Sequence, residues 1–156
     1  YLSTIGDKTA SLFAAAGEIG IILTGGGPRE RSCGRELGEA VGMAFQIIDD
    51  VLDWHGDSSR MGKPTFMDFK GGCATLPVIH ALRGLDPVEA GRMLICGEEP
   101  EGGLVERVRT RGGIEYARGR AEKYIVEGRD TLGCFGDKST DEEFERFFAM
   151  IIDRDA

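Results

Sequence analysis

The sequence predicts an all-α protein. Apolar residues recur with a helical period along almost the whole of its 156 residues, and no stretch alternates apolar and polar residues as a half-buried strand does. Glycine and proline clusters interrupt this pattern at intervals that suit helix ends. A hydrophobic content of 41% argues against disorder, and the length is that of one domain able to bury a sizeable core. There is no internal repeat.

The elements follow in order. Residues 3–24 read as an Ala-rich helix with Leu12, Phe13, Ala16, Ile19 and Leu23 inside, stopped by Gly25-Gly26-Gly27-Pro28. A helix from about 29 to 54 comes next, with Leu37, Val41, Phe45, Ile48 and Leu52 as its core-facing stripe. A loop spans 55–72. Residues 74–84 are helical, with Pro77 tolerable in the first turn. Asp86 is an N-cap and Pro87 a first helical residue for a helix over 87–96. A loop over 97–103, a short helix over 104–110 and Arg111-Gly112-Gly113 lead to a helix over 114–132 that carries Tyr116, Ala117, Ala121, Tyr124 and Ile125 on one side. Ser139, Thr140 and Glu143 make a capping-box start for a last helix, 140–153, with Phe144, Phe147, Phe148 and Ile151 buried. The 24 glycines are many for a helical domain. Several mark close helix packing and others only loops.

The run 45–53 carries the chemistry. Positions three and four apart share a helical face, so Gln46, Asp49, Asp50 and Asp53 point away from the core stripe. Like charges repel, and at a helix C-terminus the macrodipole disfavours anions by about 0.3–1 kcal/mol each. A cation placed opposite them resolves the conflict. Carboxylate oxygens are hard ligands, and Mg²⁺ is held by one or two of them together with water and substrate phosphate. A solvated acidic helix end is the competing reading of the spacing alone. Downstream, Arg60-Met61-Gly62-Lys63-Pro64 sets a cation in a glycine-bounded loop, and Lys70 precedes Gly71-Gly72. Metal face, flexible loop and lysine together suit a diphosphate.

These residues resemble a family. The run from Gly42 to Asp53, then Gly56-Asp57, Gly62-Lys63-Pro64, Asp68 and Gly72 with Thr75-Leu76-Pro77, is similar to the second aspartate-rich region of trans-isoprenyl diphosphate synthases, the polyprenyl synthetases. Lys8-Thr9-Ala10 resembles the Lys-Thr segment that precedes it there, Gly17 and Gly20 fit the small-residue helix that follows, and Met150–Arg154 resembles the end of the family's sequence. The match is strong to about residue 85 and loose beyond.

The resemblance implies a fold of antiparallel helices around a deep cavity, of the isoprenoid synthase type, with residues 1–156 as its C-terminal portion. The implied reaction is head-to-tail prenyl transfer, in which isopentenyl diphosphate attacks an allylic prenyl diphosphate. Asp49, Asp50 and Asp53 would hold Mg²⁺, directly or through water. Lys8 and Lys63 would stabilise the charge on the departing diphosphate, and Thr9 and Gln46 would line the reacting end. The sequence also departs from the family. Cys73 stands where lysine is usual and Phe66 where glycine is usual, and Lys70 is the cation available to compensate. Family enzymes are about twice this length and carry a first aspartate-rich motif upstream, which is absent here. By itself the fragment is therefore expected to be inactive. A non-catalytic subunit of a heteromeric synthase, and another class I terpene synthase relative, are the alternatives, as is a non-enzymatic Mg²⁺-binding helical module.

Bland readings apply to other residues. Lys8 on its own is an exposed lysine on an apolar helix, and Gln46 on its own a satisfied core amide. Trp54 and Phe66 read as packing residues, His55 and His80 as structural, and Lys70 as a solvated loop charge. A net charge of −8 opposes nonspecific binding to nucleic acid. Cys33, Cys73, Cys96 and Cys134 are widely spaced without a Cys-x-x-Cys pair and read as reduced thiols. No apolar run is long enough for a transmembrane helix and no signal peptide is visible. The expectation is a cytoplasmic homodimer.

Overall fold

The computed structural model describes residues 1–54, 73–95, 103–136 and 138–154, excepting the side chains of 95 and 138–141. All regular structure among the described residues is helical. The chain divides into two compact units, one of Leu2–Ile48 with Gly119–Ala156, the other of Tyr1 with Asp49–Arg118.

In the first unit, α1 (Leu2–Ile5) runs into a π-turn, Gly6–Ala10, and then into α2 (Ser11–Leu23). The expected single helix is thus interrupted by one wide turn, in which the Ser11 amide reaches back to Gly6 O. α2 ends in a Schellman motif. Gly26 N donates to Ile21 O at 2.9 Å and Gly25 N to Ile22 O at 3.1 Å, and the +80° φ of Gly25 supplies the left-handed residue that this motif needs. α3 (Pro28–Leu52) opens with proline at its first position and Glu30 in its first turn.

α2 meets α3 at close range, much of it through backbone, with Phe13 of α2 also packing on Phe45 of α3. A Cβ added at Gly17 would lie 2.1 Å from Gly34 O, one at Gly38 2.2 Å from Phe13 O, and one at Gly42 2.6 Å from the Ala10 Cα. Ala10 and Ala14 are buried in this seam. The seam reverses the expected orientation of α2. Leu12 is 72% exposed and Leu23 81%, Ile19 and Ile22 are exposed with them, Ala16 is exposed and Phe13 half-buried. Periodicity located the stripe of larger apolar residues, but the close approach of two helices selects glycine and alanine instead. Gly20 packs against nothing.

The rest of this unit is the second part of α7 (Gly113–Thr131), a 3₁₀ turn at Leu132–Cys134 and α8 (Lys138–Ile152). Ala121, Ile125 and Leu132 are buried, and Gly128 lets α7 approach Leu37 and Ala40. α8 buries Phe148 and Ile151 as expected, whereas Phe147 is 40% exposed and Phe144 half-buried. Arg129 donates from Nη2 to Glu145 Oε2 at 2.7 Å. This hydrogen bond holds the Glu145 carboxyl below its ordinary pKa and raises that of Arg129. The structure also corrects the cysteine reading, because Cys33 and Cys134 are joined in a disulfide across a sequence separation of 101. Their wide spacing disappears when α3 and the end of α7 fold side by side. Cys73 is free and exposed.

In the second unit, α4 (Leu76–Ala81), α5 (Pro87–Ile95), α6 (Leu104–Thr110) and the start of α7 follow the end of α3. α4 is shorter than its expected span, because a turn at 82–84 closes on Gly84 with φ +80°. Asp86 caps α5, its Oδ1 accepting from Val88 N at 2.8 Å. Trp54, Val78, Ala81, Leu104 and Val108 form the core, which bears out the packing role of Trp54. Gly113 brings α7 so close to α4 that a Cβ there would lie 2.5 Å from Pro77 O. His80 stacks on Tyr116 with ring centroids 4.0 Å apart, and Arg83 Nη2 donates to the Tyr116 hydroxyl at 3.2 Å. His80 is thus a packing residue. No helix among the described residues is long and apolar enough to cross a membrane.

Candidate active site

Among the described residues, the site residues predicted from sequence lie on α3, in the turn just after it (Asp53) and on the π-turn. Along α3, Leu37, Val41, Ile48 and Leu52 are buried, with Phe45 half-buried beside them. The core stripe therefore stands as expected. It sets the rotation of the helix, and with it the direction of the three aspartates.

Those aspartates do not share one environment. Asp49 is exposed, Asp53 half-buried and Asp50 only 4% exposed. The Tyr1 hydroxyl donates to Asp50 Oδ2. Successive residues are about 100° apart around a helix, so Asp49 and Asp50 fan out instead of standing parallel. Among the described residues no three acidic, histidine or cysteine side chains converge to cage a metal ion. Mg²⁺ does not need such a cage, since one or two carboxylates with waters and substrate phosphate suffice. The exposed carboxylate of Asp49, a hard oxygen donor at the helix end, fits that mode.

The π-turn carries the other predicted groups. Lys8 is exposed and Thr9 half-buried. Thr9 Oγ1 donates to Gln46 Oε1 at 2.7 Å. Because its oxygen is committed to Thr9, the Gln46 amide has a fixed orientation. Ser11 Oγ donates to Asp7 O at 2.7 Å and braces the wide turn. Such single π-turns frequently accompany functional residues, and no feature of the sequence announced this one. A further contact was not foreseen: the Arg154 guanidinium lies 4.6 Å from the centroid of the Phe45 ring, which in turn packs on Phe13 at 5.4 Å. Lys63, Phe66 and Lys70, and with them His55, Gly56-Asp57, Gly62, Pro64 and Asp68, lie outside the described residues.

An all-α chain that carries both an aspartate-bearing helix end and a Lys-Thr turn has the elements of an isoprenoid synthase. The chain matches the polyprenyl synthetase family over residues 1–105, and it belongs to that family. It is 35% identical over 160 residues to the octaprenyl diphosphate synthase of Escherichia coli (strain K12), an alignment covering 99% of this chain and 50% of the relative. The crystal structure of a decaprenyl diphosphate synthase from Rhodobacter capsulatus superposes with a TM-score of 0.84 at 32% identity, covering 99% of this chain and 49% of that one. A polyprenyl synthase from Caulobacter crescentus CB15, complexed with calcium and isoprenyl diphosphate, gives 0.85 at 31% identity, covering 100% and 49%. The fold is thus the all-α isoprenoid synthase fold, and the chain spans about half the length of the curated relatives it matches.

Proposed function

We propose that this chain is the C-terminal half of a trans-prenyltransferase that condenses isopentenyl diphosphate with an allylic prenyl diphosphate, a polyprenyl diphosphate synthase. The observation that carries the reading is the aspartate-bearing end of α3, Asp49 exposed and Asp50 buried, on a helix whose Gln46 is held by Thr9 of the Lys8 turn. The relatives named above are synthases of prenyl diphosphates, which favours chain elongation over cyclisation.

In this reading Asp49 holds Mg²⁺, with Asp53 and, through water, Asp50 in support. When bound there, Mg²⁺ would supply Lewis-acid stabilisation of the charge on the allylic diphosphate. Lys8 supplies a positive charge to the same leaving group, and Lys63 is proposed to add a second. Thr9 and Gln46 orient the reacting end. The Thr9 hydroxyl donates to the Gln46 carbonyl, which fixes the orientation of that amide. The alkene of isopentenyl diphosphate adds to the allylic cation and a proton is then lost to the released diphosphate. The proposed assembly is a homodimer, for which the exposed apolar stripe on α2 offers a face, and the proposed location is the cytoplasm.

The test is Asp49→Ala in the full-length protein. Turnover of isopentenyl diphosphate with an allylic co-substrate should fall by orders of magnitude while the helical circular dichroism is retained. Near-normal turnover would overturn the metal assignment.

A further inference from the structure

We propose that Cys33 and Cys134 form a reversible thiol–disulfide staple that sets the stability of the unit built from Leu2–Ile48 and Gly119–Ala156. Cys33 lies in the second turn of α3, and Cys134 closes the 3₁₀ turn after α7. Their Cα atoms are 6.4 Å apart, inside the range that a disulfide spans without backbone movement. The bond joins two helices that also approach closely at Gly128. The nearest approach of Gly128 to α3 is to the short side chain of Ala40 and the tip of Leu37. α3 and α7 also form two walls of a groove of about 630 Å³, lined in part by Arg35 and Glu36 beside Cys33 and by Thr131 close to Cys134. A covalent tie at these residues fixes the separation of those walls.

The closed loop is long. Cross-linking residues so far apart in sequence removes much of the chain entropy of the unfolded state, so the staple acts chiefly on the folding equilibrium. It is also open to exchange. Cys33 is 8% exposed and Cys134 half-buried, so an incoming thiolate attacks at Cys134. A glutathione-type thiolate bonds to the Cys134 sulfur, and Cys33 leaves with the electron pair of the S–S bond and takes up a proton. A second thiolate then attacks the small-molecule sulfur of the mixed disulfide and releases Cys134, which is protonated in turn. In sum, two small-molecule thiols are oxidised to one disulfide and the protein disulfide is reduced to two thiols. Oxidised glutathione drives the same steps backwards.

The experiment equilibrates the full chain in buffers of graded reduced-to-oxidised glutathione ratio, traps free thiols by alkylation, and reads the 33–134 linked peptide by mass spectrometry with Tm in parallel. The linked peptide should rise and fall reversibly with the ratio, and Tm should drop by roughly 5–15 °C on reduction. Cys134→Ser should abolish the redox dependence of Tm, and Cys73→Ser should leave it intact. Absence of the linked peptide in oxidised buffer, or equal Tm in both buffers, would overturn the proposal. Because the wild-type chain is compared in two buffers, the outcome does not depend on a variant folding, and because no substrate is used it is separate from the prenyltransferase reading.

Discussion

Thr9 and Gln46 are 37 positions apart in sequence, yet their side chains share a 2.7 Å hydrogen bond. This bond fastens the π-turn to the helix that ends in the aspartates. Replacing Thr9 by Val removes the donor and leaves a part-buried amide oxygen without it, a loss of about 1 kcal/mol in urea denaturation. Thr9→Ser should restore most of it. If Val and Ser variants unfold at the same urea concentration, the bond has no weight in the fold.

The seam between α2 and α3 predicts opposite signs for two glycines. Gly38→Ala places a methyl 2.2 Å from Phe13 O, a clash that helix separation alone relieves, at a cost of about 1–3 kcal/mol or more. Gly20→Ala meets nothing and lies inside a helix, so it should stabilise by about 0.5–1 kcal/mol. Thermal melts of both variants test the pair. Stabilisation by Gly38→Ala would contradict the seam.

Glu145 titrates below its ordinary value because Arg129 donates a hydrogen bond to it. A carboxylate with a depressed folded pKa contributes stability that is present above its unfolded pKa and is lost as pH falls through the folded one. Glu145→Gln should therefore destabilise at pH 7 and have no effect near pH 2. The pair is exposed, so the difference at pH 7 should stay below about 1 kcal/mol. Chemical denaturation of both proteins at the two pH values gives the sign directly.

The exposed stripe of α2 offers a test of the proposed homodimer. Ile19→Glu puts a charge in the middle of Leu12, Ile22 and Leu23. Light scattering on the full-length variant should show a shift to monomer with helicity retained. An unchanged assembly would place any dimer contact elsewhere.

Much of α3 was legible from sequence because its core residues are large and spaced at 3.6, and because Pro28 and Gly25 mark its start and the preceding stop. Asp86, a cap followed by proline, was equally readable. The face of α2 was not. Hydropathy weights Leu12 and Leu23, whereas much of the contact is made by residues with almost no side chain. The four-residue spacing of Gly34, Gly38 and Gly42 was its only trace. The burial that sets Asp50 apart from Asp49 was not legible, because a shared helical face spans a wide arc and the Tyr1 hydroxyl that meets Asp50 comes from 49 positions away. The Cys33–Cys134 bond joins residues so distant in sequence that local pattern carries no information about it.

A contact made of main chain has no rotamers. Side chains in a core can exchange one packing for another when a ligand arrives, but Gly17, Gly38 and Gly42 have nothing to rearrange. α2 and the body of α3 are therefore joined like two parts of one casting. The Lys8 turn shares in that joint, since Thr9 ties it to α3 at Gln46.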